Sequence, residues 1–199
     1  MIQIQVWADF ECPYSYFQTI VLEKIQAKYR DKVEIAWRAF ELSPLEGNIS
    51  PSQSYINTFE EAKLEPIVAE EGLELLMPKF LTYTWLAQES VHFANSQGLS
   101  LKLAKSLFHA FFSQGLDISD EEVVMRLASQ SGVNTQQLRQ ALDGGELTKH
   151  VMADEQEFKT YGFQGLPVML IGEKDFSPKS FMPISGYKTL NELVKLLPI

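Results

Sequence analysis

At 199 residues, with 45% hydrophobic and 22% charged residues, the chain has the size and composition of one large globular domain, or of a domain carrying a sizeable insertion. A net charge of -9 argues against a nucleic-acid binder and against a polybasic membrane anchor, since both need Lys and Arg in surplus on one face. One cysteine builds neither a disulfide framework nor a closed zinc site of thiolates.

The chain opens on Ile2, Ile4 and Val6 alternating with Gln3 and Gln5, the period-2 signature of a strand. This start lacks the basic and long apolar regions of a signal peptide, and no apolar run approaches the ~18 residues of a membrane span, so a cytoplasmic location is expected. Asp9-Phe10-Glu11-Cys12-Pro13 turns out of the strand. A helix is predicted from Pro13, because proline's missing N–H costs nothing at the first helical position. Tyr16, Phe17, Ile20, Val21 and Ile25 form its apolar stripe, with Lys28 and Arg30 as cations in its last turn. Residues 33–37 read as a second strand, which predicts a parallel pair with a right-handed crossover.

From about residue 52 the pattern turns helical. Helices are predicted over 56–72 (broken at Pro66), 83–97, 101–113, 121–131, 135–142 and 146–161, with an N-cap at 119–120 and Thr135 capping the next. Residues 167–171, bounded by Gly165 and Gly172, read as a buried central strand. A turn-rich connection over 172–179 leads to a shorter strand at 180–184. Gly186 then precedes an amphipathic helix with Leu190, Leu193, Val194 and Leu197 on one side. The order is βαβ, a block of helices, then ββα. It implies an α/β, thioredoxin-like mixed sheet, with residues 1–51 and 146–199 in that domain and 52–145 as an all-α insertion.

Cys12-Pro13-Tyr14-Ser15 follows a strand and opens a helix. Free N–H groups and the helix dipole stabilise a thiolate at such a place, whereas the carboxylates of Asp9 and Glu11 oppose a second negative charge. The sequence leaves open which effect prevails. Ser15 stands where a dithiol oxidoreductase has its second cysteine, so Cys12 has no internal resolving thiol. The Ser15 hydroxyl would bond either to the Cys12 sulfur or to local backbone. A proline opening a buried strand, as in Gly165-Leu166-Pro167, is unusual because it donates nothing to the ladder. A cis bond would account for it and leave the Leu166 backbone to pair with an extended peptide or with glutathione. His92, His109 and His150 show no metal-binding spacing and read as structural or solvated, and the aromatic run 107–112 reads as core.

The segment Asp9-Phe10-Glu11-Cys12-Pro13-Tyr14-Ser15-Tyr16 resembles the active-site segment of DsbA-family proteins, especially the FrnE-like branch. Residues 38–44 (Arg-Ala-Phe-Glu-Leu-Ser-Pro), 107–120 and 162–167 resemble the same branch after its second strand, in its insertion and in its cis-proline loop. The resemblance implies a thiol–disulfide oxidoreductase with Cys12 as nucleophile and Pro167 as the loop proline. Ser15 departs from the family's C-x-x-C, so the dithiol chemistry does not carry over. The fold also hosts 2-hydroxychromene-2-carboxylate isomerases and kappa-class glutathione transferases, whose Ser-Pro-Tyr-Ser-like segment is similar to this one.

Three functions follow as expectations. The first is a single-cysteine oxidoreductase in which glutathione resolves the mixed disulfide, with Cys12 and Ser15 catalytic and Pro13, Tyr14, Leu166 and Pro167 binding substrate or glutathione. The second is a glutathione-dependent transferase or isomerase, and the third a non-catalytic peptide-binding module. Glutathione is expected as co-substrate, with no tightly bound cofactor and no metal. The expected partner is a thiol or disulfide, on a protein or a glutathione adduct. Neither nucleic acid nor membrane is expected as a partner, and a homodimer is one assembly the chain allows.

Overall fold

The computed structural model describes residues 1–61 and 64–199, the side chains of residues 60, 61 and 178 excepted. Strand β1 (Ile2–Ala8) leads through a short turn into helix α1 (Pro13–Lys28), and β2 (Val33–Ala39) returns parallel to β1, Ile4 opposite Ile35. Near the far end, β3 (Val168–Glu173) runs antiparallel to β1, and β4 (Met182–Ser185) antiparallel to β3. The sheet order is β2-β1-β3-β4, so the predicted mixed α/β sheet is the observed one.

Both faces of the sheet are covered. Ile2, Ile4, Val6 and Ala8 of β1 join the main core with Ile35, Trp37, Met169 and Ile184, beneath α1 and the helices that follow β2. Trp7 points to the other face and packs with Val168, Leu170, Phe181 and Phe158. That second cover is why Gln5, polar in an alternating pattern, is buried as well.

Between β2 and β3 lie α2 (Gln53–Glu61), α3 (Leu64–Glu71), α4 (Trp85–Asn95), α5 (Ser100–Gln114), α6 (Glu121–Ser131), α7 (Thr135–Asp143) and α8 (Glu146–Thr160), and α9 (Leu190–Leu196) closes the chain. The helix predicted over 56–72 is two helices, and the join at 62–63 lies outside the described residues. Pro66 sits in the first turn of α3, where a missing N–H breaks no helical bond.

Three local expectations change. Arg30 lies beyond the C-cap Tyr29, leaving Lys28 as the cation of the last turn of α1. The cap of α7 is Asn134, whose side chain accepts from Gln137 N, so Thr135 is the first helical residue. Gly172 does not end β3 but pairs with Gln3 inside it, because the Phe181 ring fills the space a Cβ would need.

The free edge of β2 is closed by side chains. Asn95 of α4 accepts from Trp37 N at 2.9 Å and donates to Trp37 O at 2.9 Å. Asp154 of α8 accepts from Ala39 N at 3.0 Å. Over Trp37–Ala39 the edge is thus satisfied and offers no template to another strand.

Candidate active site

The turn after β1 is built around Asp9. Its Oδ1 accepts from Phe10 N and its Oδ2 from Leu42 N, each at 2.7 Å, which pins the β1–α1 turn to the segment leaving β2. Cys12 N donates to Asp9 O at 3.1 Å, and Cys12 O accepts from Ser15 N at 3.0 Å. Cys12 is thereby the extended N-cap of α1 (φ -95°, ψ 112°), followed by Pro13 at the first helical position.

The Cys12 sulfur faces the loop before β3. Its thiol donates to the Leu166 carbonyl across 3.7 Å, spanning 154 positions of sequence. The Leu166–Pro167 peptide is cis, and Gly186 N donates to Pro167 O at 2.8 Å. Leu166 and Tyr14 are half-buried, Pro13 and Pro167 buried. The turn and loop together therefore bring Cys12, Ser15, Pro13, Tyr14, Leu166 and Pro167 to one end of the sheet.

Cys12 is only 7% exposed and makes no capping hydrogen bond through its side chain. Burial pushes its thiol up. The Ser15 hydroxyl and the Ser15 and Tyr14 amides pull it down, while the charge of Asp9 adds to the rise. Burial therefore outweighs the helix N-terminus, and the resting group is a thiol. Ser15 is fully buried, and its hydroxyl also accepts from Asp9 N at a long 3.5 Å. It serves sulfur and backbone together.

Behind the sulfur lies a buried carboxyl cluster. Burial raises Asp9 to about 6, against the hydrogen bonds from Leu42, Thr84, Phe10 and Gln88 that lower it. Burial, then the charge of Asp9, raises Glu11 to about 8 and Glu41 to about 7. The Thr84 hydroxyl donates to Glu41 Oε1 at 3.1 Å, and Gln88 Nε2 approaches Asp9 Oδ1 at 3.5 Å. Among the described residues no ion pair reaches Asp9, Glu11 or Glu41. Glu11 Oε1 is buried without a hydrogen-bond partner, the condition of a carboxyl that is easier to protonate than to charge.

Tyr55, Thr84 and Gln88 carry no signal in the sequence that marks them as part of the site. The Tyr55 hydroxyl, from α2, donates to Glu11 O at 2.8 Å. Thr84 and Gln88 approach the acids from the start of α4. A lone tyrosine in an amphipathic helix and a Thr-x-x-x-Gln spacing carry no distinguishing pattern, so nothing short of the folded arrangement picks them out.

The remaining candidates lie elsewhere. His92 stacks on His150 at 4.9 Å, and burial lowers it to about 4, with His150 and Arg38 adding to the fall. Among the described residues no group of three metal-ligating side chains exists. Phe108 and Phe112 are core, stacked on Tyr16 at 5.3 and 6.0 Å. Among the described residues no helix is long and apolar enough to cross a membrane.

The profile of the DSBA-like thioredoxin domain matches residues 3–195. The chain is 28% identical to YwbO of Bacillus subtilis over 149 residues, 71% of this chain and 72% of that protein. Among solved structures it is similar to a probable DsbA oxidoreductase from Streptomyces coelicolor, at 22% identity and TM-score 0.79, covering 99% of this chain and 88% of the other. It is also similar to the cytosolic disulfide reductase DsbM from Pseudomonas aeruginosa with GSH, at 12% identity and TM-score 0.68, covering 92% and 89%. At these identities the two structures speak to the fold.

Proposed function

The chain belongs to the family of DSBA-like thioredoxin domains, and from that membership we propose that it is a thiol–disulfide oxidoreductase working through Cys12 alone, with glutathione resolving its mixed disulfide. The observation that carries this reading is a lone thiol at the N-cap of α1, 3.7 Å from the Leu166 carbonyl, with Ser15 where a resolving thiol would be. That the structurally similar DsbM is described with GSH supports glutathione as the external thiol.

The chemistry runs in two exchanges. Cys12 loses its proton and attacks the glutathione sulfur of a mixed disulfide, forming a Cys12–glutathione disulfide and expelling the substrate thiolate, which takes up a proton. A second glutathione, as thiolate, attacks the glutathione sulfur of that adduct. Oxidised glutathione leaves, and the Cys12 thiolate is restored. One glutathione thiol is consumed for each mixed disulfide reduced, the other half of the oxidised glutathione coming from the substrate. The Leu166 backbone offers the incoming chain an extended edge beside the sulfur.

The test is reduction of a glutathionylated peptide by glutathione, followed by formation of oxidised glutathione. Turnover is expected from the native chain and from Ser15→Ala, with none from Cys12→Ser and a Cys12–glutathione adduct visible by mass. Turnover surviving Cys12→Ser would overturn the proposal in favour of a glutathione transferase or isomerase. Peptide binding indifferent to Cys12→Ala, with no turnover in the native chain, would leave only a binding module.

A further inference from the structure

We infer that Tyr55 latches helix α2 over the turn carrying Cys12 and so acts as a specificity-determining residue, admitting small or extended disulfides and holding back those on folded protein surfaces. The inference rests on the reading of Cys12 as the reactive group. An N-cap residue ordinarily lies at the surface, yet the Cys12 side of this turn is closed until only 7% of the residue is exposed.

The latch is a single polar contact on an apolar hinge. The Tyr55 hydroxyl donates to the carbonyl of Glu11, the residue just before Cys12, at 2.8 Å and across 44 positions of sequence. The phenol lies near enough to the sulfur for the charges of Glu11, Cys12 and Asp9 to add to the burial that raises its pKa. Its ring packs on Phe59 at 5.3 Å, Phe59 on Phe112 at 6.0 Å, and Phe112 on Tyr16 of α1. Farther along, Lys24 of α1 pairs with Glu71 of α3. The rest of α2 is exposed or half-buried, and it contributes no fully buried side chain among the described residues. Among the described residues, the contact that α2 makes with the turn carrying Cys12 is that of Tyr55.

A folded surface cannot bring its sulfur to a thiol so covered, whereas glutathione or an extended cysteine-bearing strand can thread beside Leu166. Releasing α2 would lift the restriction. The chemistry of the exchange would stay as it is, and the change would lie in the size of the disulfide that reaches it.

The experiment compares labelling of Cys12 by iodoacetamide with labelling by a maleimide carrying a large polyethylene glycol, in the full chain. Tyr55→Phe keeps the ring and removes the hydroxyl. The ratio of bulky to small labelling should rise about tenfold, the equivalent of one hydrogen bond. Lys24→Ala, which removes the pair between α1 and α3 while leaving Tyr55 untouched, should raise the same ratio by a smaller factor. An unchanged ratio in both variants would overturn the latch, even with full turnover of glutathionylated peptide. A raised ratio in a chain without turnover would sustain the latch and sink the oxidoreductase reading instead.

Discussion

The Cys12 thiol begins a helix, a place that lowers thiol pKa values in other settings, yet here its pKa rises. Burial is the largest cause, and the side chains nearest it pull in opposite directions: the Ser15 hydroxyl lowers the value and the charge of Asp9 raises it. Two substitutions should therefore move the thiol in opposite senses. Ser15→Ala should slow iodoacetamide alkylation at neutral pH, and Asp9→Asn should speed it, each by about three- to tenfold for ~1 kcal/mol of changed interaction. Equal rates in both variants would mean that burial alone sets the thiol. This competition was visible in the sequence as a question, since Asp9, Glu11 and Cys12 adjoin. Its outcome was not, because the sulfur is covered by groups such as Leu166, which lies 154 residues away in the chain. Glu41 and Thr84 were hidden for the same reason. Side chains contributed by neighbouring residues are legible, and those contributed by tertiary packing are not.

At the scale of elements, strands and helices were legible wherever periodicity and punctuation agreed, and ends were misplaced where a distant side chain decided them. Pro13 marks the start of α1 by its own chemistry, and Asp120 caps α6 by accepting from Glu122 N. Gly172 misled because glycine usually signals a turn, whereas here it lies within β3 to make room for a ring. A Cβ built at Gly172 would sit 2.2 Å from Phe181 Cδ1, and Phe181 is buried against Trp7 and Leu170 with little room to withdraw. Gly172→Ala should cost about 2 kcal/mol by overpacking, lowering the melting temperature by about 4–8 °C. A melting temperature within a degree of the native chain would show that the Phe181 side of the sheet is far more yielding than this packing implies. The same substitution should leave Cys12 labelling unchanged, since β3 reaches the site at its other end.

For the whole molecule, the buried acids make stability depend on pH in a direction the composition alone does not suggest. Asp9, Glu41 and Glu11 are raised to about 6, 7 and 8, so the folded chain holds protons there that the unfolded chain has released. Stability from these groups is fully present below their ordinary values near 4 and is lost as pH rises through the folded ones. His92 acts the other way: lowered to about 4, it favours the unfolded chain at acid pH, and its penalty fades as pH rises to about 6.5. Asp117 and Glu192, both lowered, contribute stability that is fully present above their ordinary values and is lost only as pH falls below about 4, so they add no slope above it. Above about pH 6.5 the acid cluster is therefore left as the main term among these groups. The urea midpoint should fall by about 1 M between about pH 6.5 and 8.5, taking ~2 kcal/mol of charging cost and an m-value of ~2 kcal/mol/M. Glu11→Gln removes the acid with the highest of the three values and should flatten much of that fall, while a slope unchanged in Glu11→Gln would place the dependence elsewhere. Ionising the Cys12 thiol requires the same alkaline shift that charges the cluster, and the Asp9 charge disfavours the thiolate. Raising pH thus charges the acids before the thiol, and the same buried groups that weaken the fold also hold the thiolate back.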